Sequence, residues 1–130
     1  MTITRLLLGQ KGEDIAVGFL ERAGYKVLDR NFRCRNGEID IIALDGKSIV
    51  FVEVKTRNKE NFGPPKLAVN WRKQKQLIKV ALTDLKQKKL MDRPARFDVV
   101  GIIIRGGKEE IELVKDAFGM GDERESIGIR

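Results

Sequence analysis

Ile39-Asp40-Ile41-Ile42-Ala43-Leu44, then Asp45-Gly46-Lys47-Ser48, then Ile49-Val50-Phe51-Val52-Glu53-Val54-Lys55 is the stretch on which the fold turns. The two apolar runs are rich in β-branched residues, and the tetrad between them holds an Asp-Gly pair. The segment therefore reads as a β-hairpin. Side chains alternate across a strand, which sets Ile49, Phe51, Glu53 and Lys55 on one face and Val50, Val52 and Val54 on the other. A two-residue turn sets Asp40 opposite Phe51, and a four-residue turn sets it opposite Glu53. In either register the alternation holds Asp40 on the face of Glu53 and Lys55. Cross-strand and diagonal neighbours lie roughly 5–8 Å apart. That spacing lets two carboxylates share one divalent cation with a lysine beside them.

A strand that is apolar on both faces belongs in the middle of a sheet, so Glu53 and Lys55 stand at its end or partly buried. A buried carboxylate without a partner is costly, and a second carboxylate beside it resists ionising. A cation removes that repulsion. Mg²⁺ takes oxygen ligands in octahedral geometry and keeps several waters, a demand that two carboxylates, a backbone carbonyl and water meet. The plainer alternative is an ion pair of Lys55 with Glu53 or Asp40, with no chemistry. For an isolated Glu-x-Lys that alternative is the commoner one. Asp40 on the same face, and Glu13 on a helix nearby, make the set informative.

Outward from the hairpin the elements follow in order. Ile15, Ala16, Phe19, Leu20 and Ala23 recur at helical spacing and predict a helix over 10–23, with Gly24 as its left-handed cap. Glu13 lies at the edge of that apolar stripe, while Asp14, Glu21 and Arg22 face water. A short strand is expected over 25–28, followed by a polar, basic connection over 29–36. A loop with Gly63-Pro64-Pro65 as a breaker is expected over 57–66. The second helix is predicted from Asn70, its N-cap, to about 90, with Trp71, Ile78, Ala81, Leu82 and Leu85 buried. Pro94 stops it. A strand over 97–104, covered on both sides, and an edge strand over 111–114 complete the pattern. The expected architecture is one α/β (α+β) domain over 1–118, a mixed sheet flanked by helices, with 119–130 as a loose tail.

The chain has 130 residues, 42% of them hydrophobic, which suits one folded domain with a real core. No run approaches the ~20 apolar residues of a membrane span, and the N-terminal segment lacks a signal-peptide pattern, so a cytoplasmic location and no membrane partner are expected. Cys34 is the only cysteine, which rules out an intrachain disulfide. The absence of histidine excludes Ser-His-Asp and Cys-His chemistry and the usual zinc sites. Carboxylates, lysine and a hard cation held by oxygen are what remain. Lysine and arginine number 26 against 19 acids, a net charge of +7, which favours an anionic partner, nucleic acid above all.

Ile39-Asp40 followed by Glu53-Val54-Lys55 resembles the metal-binding signature of the restriction-endonuclease-like nuclease superfamily. More narrowly, Gly12-Glu13, Arg33-Cys34-Arg35, Gly37-Glu38-Ile39-Asp40, Phe51-Val52-Glu53-Val54-Lys55-Thr56-Arg57, Arg72-Lys73-Gln74 and Arg96-Phe97-Asp98-Val99-Val100 resemble the motifs of the bacterial YraN family, over roughly residues 11–118. The resemblance implies a restriction-endonuclease-like mixed sheet. It implies Asp40 and Glu53 as ligands of Mg²⁺ or Mn²⁺, Lys55 as the signature lysine and Glu13 as a helix-borne acid of the same metal site, binding the cation through water or helping to hold a second one. It places the chain near Holliday-junction resolvases and other nucleases of DNA repair and recombination; the junction resolvases work as dimers, so a homodimer is among the expected states. Ile39 stands where the signature often has proline. Glu38 is a candidate supporting residue.

Under that resemblance the activity is metal-dependent hydrolysis of a DNA phosphodiester, in which Lys55 orients or deprotonates the attacking water or stabilises charge. Arg33 and Arg35 before the hairpin, Arg57 after it, and Arg72, Lys73, Lys75 and Lys79 on the second helix are the candidate phosphate contacts. Lys86, Lys88 and Lys89 read as a solvated helix face. Trp71 could stack on a base, though helical spacing favours the core. Cys34 reads as a structural cysteine. Two other functions fit the same residues: a nucleic-acid-binding module of this fold without catalysis, and a scaffold subunit that binds a partner protein.

Overall fold

The computed structural model describes residues 3–57 and 69–119, with side chains from Lys11 onward. In chain order the elements are α1 (Ile3–Arg22), β1 (Lys26–Cys34), β2 (Gly37–Asp45), β3 (Ser48–Arg57), α2 (Trp71–Gln87), β4 (Ala95–Arg105) and β5 (Lys108–Phe118). The five strands form one sheet in the order β1-β2-β3-β4-β5. Neighbouring strands are antiparallel except β3 and β4, which run parallel. A parallel pair needs a crossover, and α2 is that crossover. The fold is α+β, the mixed sheet flanked by helices that the sequence predicts.

The β3 strand lies third of five and is apolar on both sides. Ile49 and Phe51 join Leu77, Ile78, Ala81 and Leu85 of α2 in one buried cluster. Val50 and Val52 join Ala16 and Leu20 of α1 in the other. Each helix thus covers one face of the same central strands. The β4 run shows the same division, with Phe97 and Val99 toward α2 and Val100 and Ile102 toward α1. Asn70 caps α2 as expected, its Oδ1 accepting the Lys73 N–H at 2.9 Å.

Several boundaries depart from expectation. The polar segment 29–36 is not a connection, because β1 continues through it to Cys34. As an edge strand β1 needs few apolar residues, and its charged side chains face water, so hydrophobic periodicity missed it. Trp71 is not in the core: it is 70% exposed. Its angular position matches the apolar stripe, but it is the first residue of α2. Lys88 is exposed as expected, but its Nζ is paired, 2.6 Å from Asp29 and 2.8 Å from the buried Asp84. These charges raise the Lys88 pKa against the opposing effect of burial. The expected loop after Arg57, including Gly63-Pro64-Pro65, and the expected tail from 120 onward lie outside the described residues.

A buried polar hub ties the layers together. Asp98, on β4, is 1% exposed. Its carboxylate accepts from Tyr25 Oη at 2.9 Å, Arg96 Nε at 3.0 Å and the Asp116 backbone N–H at 2.9 Å. Arg96 also donates to Asp45 at 2.7 Å, so the hub reaches the turn of the β2–β3 hairpin. The β4–β5 register shifts between Phe97 and Val99, where Asp116 adopts a φ of 53°. The Asp98 carboxylate takes the N–H that the irregular ladder leaves over, as a buried donor requires. Burial and the adjoining Asp98 hold the Tyr25 phenol well above its usual pKa. Removing Asp98 takes the acceptor from the Tyr25 hydroxyl and the Asp116 N–H and leaves Arg96 with Asp45 as its one carboxylate in the hub. Asp98→Ala should therefore cost about 3–5 kcal/mol of stability and Tyr25→Phe about 1–3 kcal/mol. Urea unfolding of the two variants measures both, and equal small losses would count against a hub.

Candidate metal centre

The hairpin closes with Asp45 paired to Ser48 around Gly46 and Lys47, where Gly46 takes a φ of 61°. The turn is thus two residues long, yet the register is the one expected of the wider turn. Ile41 pairs with Val52, and the next position brings Asp40 level with Glu53. Pairing between β2 and β3 ends at Ile41 and Val52. Beyond it β2 stays with β1 through Ile39, Glu38 and Gly37. Likewise β3 stays with β4 as far as Arg57. The two halves of the sheet part there like a fork, and Asp40 and Glu53 stand in its mouth.

Strict alternation fails at this point. Ile39 packs in the α2 cluster and Ile41 in the α1 cluster, although they are two residues apart. The backbone turns at Asp40. Level with it on β1, between the Arg30–Ile41 and Phe32–Ile39 pairs, Asn31 takes a φ of 54°. The expectation that Asp40 simply shares the face of Glu53 gives way to a different route to the same meeting. The Asp40 carboxylate Oδ2 accepts the Val54 N–H at 2.8 Å, filling the place a strand carbonyl would take in an unbroken ladder.

Glu53 is 7% exposed. Its pKa is pushed up to about 7, chiefly by burial, then by the charge of Asp40 and a hydrogen bond with it. The two carboxyls are therefore close enough to share a proton. Lys55 Nζ lies 3.6 Å and Lys73 Nζ 3.7 Å from Glu53 Oε2. Both distances exceed a good N–H···O hydrogen bond, so the two ammonium groups neutralise the carboxylate without clasping it. Glu13 comes from α1 on the other side of the fork. Its pKa is raised by burial and then by Asp40, against the opposing effects of Asn31 and Arg30. Arg30 lies 3.9 Å from Glu13 and 2.6 Å from Asp14. Among the described residues no three acids or thiols are gathered closely enough to hold one ion. An ion at Asp40 and Glu53 would draw its remaining ligands from backbone carbonyls, water or phosphate, which suits Mg²⁺.

Gly12 sets the position of Glu13. It is buried where α1 crosses β3, and a Cβ there would collide with the Thr56 side chain. Only glycine lets the helix approach this closely. Gly12→Ala should push α1 outward, carry Glu13 with it and cost about 1–3 kcal/mol. A double-mutant cycle with Thr56→Ala should recover part of that loss, and strict additivity would refute the packing argument.

The candidate phosphate contacts fall into two groups. Gln76 Nε2, on α2, donates to the Asn36 carbonyl at 3.1 Å and so draws the β1–β2 turn against the helix. Arg35 lies in that turn, and Arg72 and Lys73 lie about one helical turn before Gln76 on α2. Gly37, with a φ of 136°, leaves room for Gln76 that a Cβ would occupy. Arg33, on the same side, pairs with Glu38 at 2.8 Å. The second group is Lys75, whose ammonium lies 4.5 Å from the Trp71 ring centroid, and Lys79, exposed further along the helix. Arg57 ends β3 just beyond Lys55. The sequence places Lys73 with the phosphate contacts alone, and nothing in the periodicity ties it to Glu53. Asn31 falls in the segment that the sequence predicts as a connection, so no signal there points to it.

The sequence profile of Uncharacterised protein family UPF0102 matches residues 12–102, a span that holds Glu13, the fork and α2. This chain belongs to that family. It is 54% identical over 118 residues to a UPF0102 protein of Geobacter metallireducens, covering 91% of this chain and 97% of that one. A UPF0102 protein of Geotalea uraniireducens is 57% identical over 112 residues, covering 85% and 88%. A UPF0102 protein of Caldicellulosiruptor saccharolyticus is 47% identical over 113 residues, covering 85% and 96%. UPF0102 is the YraN family that the motifs resemble. Among the described residues no helix is long and apolar enough to cross a membrane.

The raised pKa of Glu53 has a stability consequence. A carboxyl whose folded pKa lies above its unfolded value, near 4.5, favours the fold while protonated. That contribution is whole below pH ~4.5 and is lost as pH rises through about 7. Without metal, Glu53→Gln should be more stable than the parent above pH 7 by on the order of 1–3 kcal/mol, with the difference vanishing near pH 4. Thermal melts across this range check it, and parallel curves would contradict it.

Proposed function

We propose that this UPF0102 chain is a metal-dependent nuclease that hydrolyses phosphodiester bonds of DNA, branched or recombining DNA included. The observation that carries the reading is the meeting of Asp40 and Glu53 in the fork, with the Lys55 and Lys73 ammonium groups 3.6 and 3.7 Å from Glu53. Two acids forced together in a buried place are unfavourable for folding, and a divalent cation between them offsets the repulsion. Mg²⁺ or Mn²⁺ bound there supplies Lewis-acid polarisation of the phosphate and a lowered pKa for the attacking water.

The chain's own residues supply the rest. Asp40 is fixed by the Val54 N–H, so one of its oxygens is committed to the backbone and the other is left for an ion. Lys55 and Lys73 approach Glu53 from a strand and a helix respectively. Once the carboxylate is engaged elsewhere, their ammonium groups can turn to phosphate oxygens or to the attacking water. Glu13 faces the pair across the fork and can hold an ion's water. Arg35, Arg72 and Arg33 extend the positive charge along the strand's path and make affinity fall with salt. Two copies acting as a homodimer would present two such forks to the two strands of a junction.

The test is cleavage of branched, single-stranded and duplex DNA with Mg²⁺ or Mn²⁺, with metal binding measured separately by calorimetry. Asp40→Asn should weaken metal binding at least about tenfold, and Lys55→Ala should slow cleavage by roughly 10²–10⁴-fold. Cleavage that survives unchanged in both variants would belong to a contaminant. DNA binding without metal uptake would leave a binding module.

A further inference from the structure

Among the described residues Trp71 is the one large aromatic that the fold leaves in solvent. It is 70% exposed, while the other large hydrophobic groups described are mostly buried. It opens α2, immediately after the capping Asn70, so its backbone is held in the first helical turn. Lys75, one turn on, sets its ammonium 4.5 Å from the ring centroid. A cation on one face of an indole leaves the other face as a flat, electron-rich surface. Arg72 stands beside it, exposed. Lys73, two residues on, reaches Glu53. Positions two apart on a helix point to nearly opposite sides, so Trp71 and the Glu53 carboxylate are separated by about one helix width, ~10–12 Å, and in addition by the 3.7 Å from Lys73 to Glu53. At about 3.4 Å per stacked step, that is a few nucleotides along one strand.

An exposed aromatic ring with cations around it complements a polyanion that carries flat apolar groups. Paired bases inside a duplex present only their edges, whereas an unpaired base offers its face. We propose that Trp71, backed by Lys75, is a stacking platform for an unpaired base of the bound strand. The platform holds single-stranded or splayed nucleic acid a few nucleotides from the Asp40–Glu53 fork. It selects substrates with an unpaired stretch over continuous duplex. The inference rests on the nucleic-acid part of the proposed function and not on catalysis.

Trp71 is the only tryptophan in the chain, so the intrinsic emission reports on it alone. The experiment titrates the full-length protein with oligothymidylate of about 12 nucleotides and, separately, with a blunt hairpin duplex of matched charge. Chelator is present, so cleavage plays no part. Oligothymidylate should quench the emission strongly and the duplex weakly. Trp71→Ala should weaken oligothymidylate binding by roughly 5- to 100-fold while changing duplex binding less than about twofold, and Trp71→Phe should restore part of the loss. Equal quenching by both ligands, equal losses for both in Trp71→Ala, or no binding of either would overturn the platform. So would burial of Trp71 by a partner protein with no response to DNA. Metal-dependent cleavage that is indifferent to Trp71→Ala would leave the nuclease reading standing without the platform. Quenching without cleavage would leave the platform standing without the nuclease.

Discussion

The hydrogen bond from the Val54 N–H to the Asp40 carboxylate fixes the geometry on which the rest depends. A sheet that divides must leave strand donors and acceptors without partners along the split, and buried donors left so are costly. Here β2 and β3 part after Ile41 and Val52, and the side chain of Asp40 takes the donor that the departing strand no longer reaches. The same bond stabilises the fork and aims the carboxylate into its mouth. Asp98 does the corresponding work on the other side of the sheet, accepting the Asp116 N–H where the β4–β5 register shifts. The two aspartates differ in what else surrounds them. Asp98 is enclosed by Arg96 and Tyr25, so its acceptor capacity is used up inside the protein. Asp40 faces another acid.

That difference separates a structural carboxylate from the pair on which the proposed metal site rests. Around Asp98, positive charge arrives in hydrogen-bonding contact at 3.0 Å. Around Glu53 the lysines stop at 3.6 and 3.7 Å, and burial with a like-charged neighbour raises the pKa to about 7. A protein that needed only stability would gain by replacing such a pair with apolar side chains. Perturbed carboxyls kept together against that tendency are a feature of sites that bind or transform a ligand.

The central elements were legible because their signals are periodic and strong. The hairpin over β2 and β3, the capped start of α2 and the doubly covered β4 all carry apolar patterns that one register satisfies. The level of Asp40 with Glu53 follows from the hairpin register, but how the two meet was not legible, because the backbone turns at Asp40 and the Val54 N–H holds its carboxylate. What was not legible lies where pattern and position conflict. The second half of β1 is an edge strand of charged residues, so polarity disguised it as a connection. Trp71 has the helical phase of a core residue but occupies the first position of α2, where phase alone says nothing about what lies opposite. Lys73 meets Glu53 through tertiary packing that no local spacing encodes. The Asp98 hub joins residues as far apart as Tyr25 and Asp116, and a buried polar cluster of this reach leaves no periodic trace.

The arrangement divides labour between rigid and adaptable parts. Asp40, Glu53 and Lys55 ride on the two central strands, whose backbones are paired within the sheet and buried between helices. Their relative positions change only if the core does. Glu13 depends on one close approach, Gly12 against Thr56, which makes α1 a second rigid support. Trp71, Arg72, Lys75, Arg33 and Arg35 sit on a helix start, a strand end and a turn, where, under the function proposed above, side chains would follow the shape of a bound strand. Chemistry that requires atoms fixed within fractions of an ångström belongs on the sheet, and recognition of a bending polymer belongs at its margins. Lys73 is the residue that joins the two. It leaves α2 among the residues proposed to contact nucleic acid and ends at Glu53, so a strand drawing on its charge would also change the field at the carboxylate pair.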